Sequence, residues 1–135
     1  MYLLDTNAWI AFLRQKSPPL CARLQKHPPA DIVLCSVVLA ELRYGAWRSG
    51  PTNRPANDAL IDQLCAHYVS LPFDESCANE YAAVRFHLEA QGLVIGPNDL
   101  MIAAIALTAG LTLVTHNSAE FSRVPGLALE DWQVP

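Results

Sequence analysis

The segment Leu100-Met101-Ile102-Ala103-Ala104-Ile105-Ala106-Leu107 is apolar on every face of a helix, and this constrains the fold more than any other stretch of the chain. A helix with no polar stripe has to be buried all round, so the remaining elements must be numerous enough to enclose it. Gly96-Pro97-Asn98-Asp99 opens it, with Pro in the first turn, and Ala109-Gly110 closes it. Its N-terminal end, which carries Asp99, must therefore point at something polar.

The enclosing elements follow from pattern. Tyr2-Leu3-Leu4 reads as a short strand ending at Asp5, and residues 7–14 show Trp9, Ile10 and Leu13 at helical spacing. Ser17-Pro18-Pro19 starts a second short helix, and His27-Pro28-Pro29 stops it before the strand Ile32-Val33-Leu34-Cys35. Ser36 is the expected cap of a helix running to about Trp47. Residues 48–55, polar and rich in breakers, read as a loop, followed by a helix over 58–67 and the strand Tyr68-Val69-Ser70-Leu71. A longer helix from about Asp74 closes at Gln91-Gly92, the strand Leu111–Val114 follows the apolar helix, and Leu127-Ala128-Leu129 adds an edge strand. Strands alternating with helices imply right-handed crossovers and a mostly parallel sheet covered on both faces. The expected fold class is thus α/β, three layers α/β/α around a sheet of four to five strands, with residues 1–135 forming one domain. In such sheets ligands bind beyond the carboxyl ends of the strands, where Asp5 sits.

Three carboxylates stand alone in apolar surroundings. Asp5 is the only charged side chain in residues 1–13, Glu41 the only one in 32–42, and Asp99 the only one in 90–115. A buried carboxylate is normally paired, neutralised or bound to a metal, and none of these has a Lys or Arg in its own run. Each also has a plainer role: Asp5 as N-cap of the first helix, Glu41 facing solvent beside Arg48, and Asp99 favoured by the dipole of its helix. Taken jointly they suggest a hard divalent cation, Mg²⁺ with Mn²⁺ as a substitute, since no soft ligand accompanies them. The four cysteines form no C-x-x-C pair and read as reduced thiols, most of them filling the core.

Hydrophobic residues make up 52% of the chain and charged ones 16%, against roughly 25% charged in an ordinary domain, so apolar surface is left over for a partner. No apolar run approaches the ~20 residues of a membrane span and no basic leader precedes Asp5, so a cytoplasmic protein without membrane attachment is expected. A net charge of −4 argues against nucleic-acid binding by bulk electrostatics. The distribution is uneven, however: residues 1–54 sum to +4 and 55–135 to −8. This leaves room for one basic face, with Arg14, Arg43, Arg48 and Arg54 as candidate phosphate contacts; the alternative is that these charges solvate helix faces.

The segments Tyr2–Asn7, Ser36–Gly45, Ile95–Ala104 and Leu113–Asn117, in this order and spacing, resemble PIN-domain ribonucleases, and within that group the VapC-type toxins of bacterial toxin–antitoxin pairs. The resemblance covers nearly the whole chain, through Phe121–Leu127 and Glu130-Asp131-Trp132. It implies that Asp5, Glu41 and Asp99 hold the metal and that Asn117 occupies the fourth position, where members carry Asp or Asn. Glu120, three residues further on, is a possible fourth acid or simply an exposed one. Thr6, Asn7 and Thr115 are candidates to hold the carboxylates by hydrogen bonds, or to act as caps and turn residues. The resemblance further implies RNA as substrate, a small VapB-like antitoxin as partner, and a homodimer.

The expected chemistry is metal-assisted hydrolysis of a phosphodiester with no covalent intermediate, because no nucleophile motif and no phosphate-binding P-loop is present. A phosphoacceptor or phosphatase reading is disfavoured: Asp5-Thr6-Asn7 is not a D-x-D pair, and no Lys follows the last core strand. A catalytically weak PIN-like or receiver-like binding module is the remaining alternative, because of Asn117.

Overall fold

A computed structural model describes residues 1–135. In chain order the elements are β1 (Tyr2–Leu4), α1 (Thr6–Leu13), α2 (Pro18–Lys26), β2 (Ile32–Cys35), α3 (Ser36–Arg48), α4 (Arg54–His67), β3 (Val69–Leu71), α5 (Glu75–Ala90), α6 (Pro97–Ala109), β4 (Thr112–Val114), α7 (Ser118–Phe121) and β5 (Leu129–Glu130). The strands form one sheet in the order β3-β2-β1-β4-β5, every neighbouring pair parallel. The α/β expectation holds at its upper bound of five strands, and the edge strand lies at Leu129–Glu130, slightly later than the sequence suggested.

The strand order explains where a site can form. The chain leaves β1 toward β2 and β3, then crosses back to place β4 on the other side of β1. Right-handed crossovers in opposite directions put the helices between β1 and β3 on one face, and α5 and α6 on the other. The connections after β1 and β4 therefore diverge, leaving a crevice at their carboxyl ends. Leu3 pairs with Leu113 and Leu4 with Val114, so the residues that follow both strands emerge side by side.

The apolar helix is α6, and it is enclosed as its sequence demands: Ile102, Ala103, Ala104, Ile105 and Ala106 are all at most 1% exposed. Gly110 takes the left-handed conformation (φ 66°) that stops the helix, and the Leu111 N–H bonds back to the Ala106 carbonyl at 2.8 Å. Strands β1, β2 and β4 are almost wholly buried, while β3 is an exposed edge. The C-terminal segment is anchored by Trp132, fully buried, which stacks on His27 and meets Tyr2 edge-on.

Two boundaries differ from expectation. Ser36 does not cap α3. It is the first helical residue, Cys35 occupies the cap position, and the Ser36 hydroxyl instead accepts the Phe73 N–H at 3.1 Å. Helix α4 starts at Arg54 rather than Asp58, because Pro55 lies in its first turn, where a missing N–H costs nothing. Of the cysteines, which are all free thiols, Cys35 and Cys77 are buried as expected of core residues, whereas Cys65 is exposed and Cys21 partly so.

Candidate active site

Asp5 closes β1 and caps α1. One carboxylate oxygen accepts the Ala8 N–H at 2.8 Å and the other accepts the Thr115 hydroxyl at 2.6 Å, so Asp5 fills the capping role and is also tied to the segment after β4. Thr115, itself 1% exposed, follows β4; its hydroxyl oxygen also accepts the Asn117 N–H at 2.9 Å, tying that turn to Asp5. Burial lifts the Asp5 carboxyl above the ordinary Asp value. The hydrogen bonds from Thr115 and Ala8 work against the rise, while the charges of Glu41 and Asp131 add to it. Desolvation thus outweighs the two hydrogen bonds.

Glu41 reaches the same end of the sheet from α3. It accepts the Thr6 hydroxyl at 2.5 Å on one oxygen and the Asn98 amide at 3.4 Å on the other. Thr6 follows Asp5 directly and Asn98 precedes Asp99, so Glu41 is bracketed by the neighbours of both other acids. Asp99, half-buried in the first turn of α6, is pushed up to about 6, first by burial and then by the charges of Glu120, Asp5 and Glu41. The three solitary acids, distant in sequence, are therefore close enough to repel one another. As they stand, no group of three or more His, Cys, Asp and Glu side chains is arranged to hold a metal ion.

Beside them, Glu120 on α7 accepts the Gly96 N–H at 3.1 Å and the Asn117 side-chain amide at 2.8 Å. A carboxylate only accepts, so the NH₂ group of Asn117 faces Glu120 and its carbonyl oxygen is turned elsewhere. Asn7 is exposed and lines an open hollow with Thr6, Glu41, Asn98 and Arg48. Arg14 lines a second hollow, also bordered by Glu41. Arg43 and Arg54 are engaged elsewhere: Arg43 pairs with Asp62 at 2.7 Å and Asp58 at 3.3 Å, and Arg54 pairs with Asp58 at 3.2 Å while lying over the Trp47 ring. Those two tie α3 to α4. Sequence reasoning missed Asn98, whose signal was its place beside Asp99 in the turn that opens α6. It also missed Asp131, which raises the Asp5 carboxyl and holds His116 at 2.9 Å.

Comparison with known proteins places this geometry in context. Residues 2–127 match the PIN domain family. The ribonuclease VapC2 of Rickettsia felis is 35% identical over 133 residues, 98% of each chain. The tRNA(fMet)-specific endonuclease VapC of Shigella flexneri is 37% identical over 131 residues, 97% of each. The DNA-bound VapBC structure from Salmonella typhimurium superposes with a TM-score of 0.89 at 32% identity, covering 97% of each chain.

The raised Asp99 value carries a stability consequence. Its carboxyl titrates near 3.8 when unfolded and about 6 when folded, so the folded chain binds more protons between those values. Stability is then greatest below the unfolded value and is lost as pH rises through the folded one. Asp5 shifts in the same direction. Thermal unfolding without divalent cations should show a midpoint that falls from about pH 4 to about pH 7. Asp99→Asn should flatten that fall and be at least as stable as the parent at neutral pH. An Asn variant that unfolds well below the parent there would mean that the carboxylate is a structural partner.

Proposed function

The chain belongs to the PIN-domain family, among the VapC ribonucleases, and on that premise we propose that it is a Mg²⁺-dependent endoribonuclease, the toxin of a toxin–antitoxin pair. The observation that carries the proposal is the gathering of Asp5, Glu41 and Asp99, each the lone charge of its own segment, at the crevice beside β1 and β4. Their repulsion costs the fold stability and serves no internal pairing, since none of the three makes an ion pair. An oxygen-only donor set of this kind suits Mg²⁺ or Mn²⁺, and the charge of a cation would offset the repulsion.

Asp5, Glu41 and Asp99 would hold the ion. Glu120 is the better fourth acid, because its charge acts on Asp99 and its two oxygens are oriented by Gly96 and Asn117. Asn117 then serves by holding Glu120. When bound, the cation supplies acidity to an attacking water and positive charge to the phosphodiester as it is cleaved. Thr115 and Thr6 fix the Asp5 and Glu41 carboxylates by hydrogen bonds, and Arg14 and Arg48, free of ion pairs and bordering the site, are the phosphate contacts. The name of the Shigella relative points to transfer RNA as the substrate class. Unpaired loops are where such an enzyme would read sequence.

Purified protein should cut RNA in Mg²⁺, stop in EDTA, and lose at least about a hundredfold in rate as Asp5→Ala or Asp99→Asn, since each removes a charge from the metal site. Cleavage that persists in EDTA, or in both variants, would defeat the assignment.

A small antitoxin completes the proposal. An apolar groove lined by Ile10, Leu13, Leu42, Leu60 and Ile61 ends at Glu41 and Arg14, and Leu13 and Leu60 continue it toward Phe12, Leu64 and Tyr68. A peptide lying there would bring a basic side chain to the acids, where it competes with the cation. Self-association into a homodimer belongs to the same expectation, and no helix is long and apolar enough to cross a membrane. Inhibition by the antitoxin's C-terminal peptide should weaken as Mg²⁺ rises at constant ionic strength. An inhibition constant that does not move would rule out competition at the metal site.

A further inference from the structure

Helix α3 carries more than Glu41 on the face that borders the site. Tyr44, Gly45 and Arg48 follow at helical spacing, and all three line the open hollow of about 520 Å³ that contains Thr6, Asn7, Glu41 and Asn98. At 1.5 Å per residue, Tyr44 lies roughly 4–5 Å and Arg48 roughly 10 Å along the helix axis from Glu41. Tyr44 is 64% exposed, a large ring left in solvent within reach of the acids. The Arg48 guanidinium sits 5.7 Å from the centre of that ring and makes no ion pair.

Gly45 is the least expected residue of the three. A glycine inside a helix costs stability relative to alanine, and it is normally kept for a left-handed backbone or a crowded contact. Neither applies here: Gly45 is not among the residues of positive φ, and a Cβ added to it would meet no atom within 4 Å. Its bareness serves no purpose inside the fold. It does keep the floor of the hollow low, beside an exposed aromatic ring and an unpaired guanidinium.

Granting that the acids cut RNA, we propose that Tyr44, Gly45 and Arg48 form a ledge for one unpaired nucleotide adjoining the scissile phosphate. The base stacks on the free face of the Tyr44 ring, Gly45 lets the ribose approach the helix, and Arg48 meets the neighbouring phosphate. An aromatic ring and an Arg plane beside a hollow that also presents Thr6, Asn7 and Asn98 is a combination suited to single-stranded RNA. Trp47, equally exposed, is unsuited because Arg54 already covers its ring at 3.2 Å and it lies outside the hollow. The ledge shares Ile10, Glu41 and Gly45 with the apolar groove between α1, α3 and α4, and differs from it in having Thr6, Asn7, Tyr44, Arg48 and Asn98 where the groove has Leu13, Leu42, Leu60 and Ile61.

The test uses the full chain carrying Asp99→Asn, which should bind RNA without cutting it. Affinity for a fluorescein-labelled single-stranded RNA is measured by anisotropy in Mg²⁺, before and after adding Tyr44→Ala, Tyr44→Phe, Gly45→Leu or Arg48→Gln. Loss of one stacked base weakens binding roughly five- to 150-fold, so Tyr44→Ala should fall in that range and Tyr44→Phe should stay close to the parent. Gly45→Leu, whose side chain enters open space, should weaken binding while its unfolding midpoint does not drop. Unchanged affinity in both Tyr44→Ala and Gly45→Leu would overturn the ledge. So would a loss of antitoxin binding in these variants with RNA affinity intact, which would make the face a protein-docking surface. Failure of the nuclease reading is read separately, from the parent chain: RNA left uncut in Mg²⁺, with Tyr44→Ala still weakening RNA binding, sinks that reading and supports the ledge.

Discussion

The hydrogen bond between Thr115 and Asp5 joins residues 110 positions apart, across the crevice where the strand order reverses. It follows from register: β1 and β4 are paired so that Asp5 and Thr115 emerge together, and the Asp5 N–H bonds to the Val114 carbonyl at 3.0 Å. With the second oxygen of Asp5 committed to the Ala8 N–H, the carboxylate is fixed both to the first turn of α1 and to the segment after β4. Thr6, next in the chain, then meets Glu41, and the turn after Thr115 presents Asn117 to Glu120. The positions of the other acids are thus referred back to the end of one three-residue strand.

That arrangement is held against its own electrostatics. A charged hydrogen bond contributes about 1.5–3 kcal/mol, whereas withdrawing a carboxylate from water costs several kcal/mol, and the raised Asp5 carboxyl shows which effect is larger. Asp99 makes none of the side-chain hydrogen bonds that steady Asp5 and Glu41, and it is pushed up to about 6. The sheet and the enclosed α6 supply the burial that maintains such a cluster. Clusters held in this way, with carboxyls displaced by burial and by one another, are characteristic of functional sites.

Much of this was legible in the sequence because the signals were strong and local. An eight-residue apolar run names a buried helix, short apolar runs between helices name a parallel sheet, and the lone acid in each of three such runs is a side chain that the fold brings near the other two. What was not legible depends on tertiary contacts. Ser36 had the residue type of a cap, yet its hydroxyl bonds to Phe73, far along the chain. Asn98 looked like part of a helix opening, and only the approach of α3 makes it a partner of Glu41. Arg43 and Arg54 had the charge of phosphate contacts, but Asp58 and Asp62 on the facing helix engage Arg43, and Arg54 pairs with Asp58 one turn along its own helix while covering the Trp47 ring. Tyr44 and Gly45 stand one helical turn beyond Glu41, a spacing visible in the sequence whose meaning needed the hollow beside it.

The central claim, that the fold gathers Asp5, Glu41 and Asp99 into one cation site, is tested most directly by titrating the ¹⁵N-labelled protein with substoichiometric Mn²⁺. Paramagnetic broadening of backbone amides reads proximity to the ion without requiring a substrate. Broadening should begin at Asp5–Thr6, Glu41, Asn98–Asp99 and Thr115–Asn117 together, and added Mg²⁺ should reverse it. Broadening centred elsewhere, or confined to one of these segments, would contradict the account.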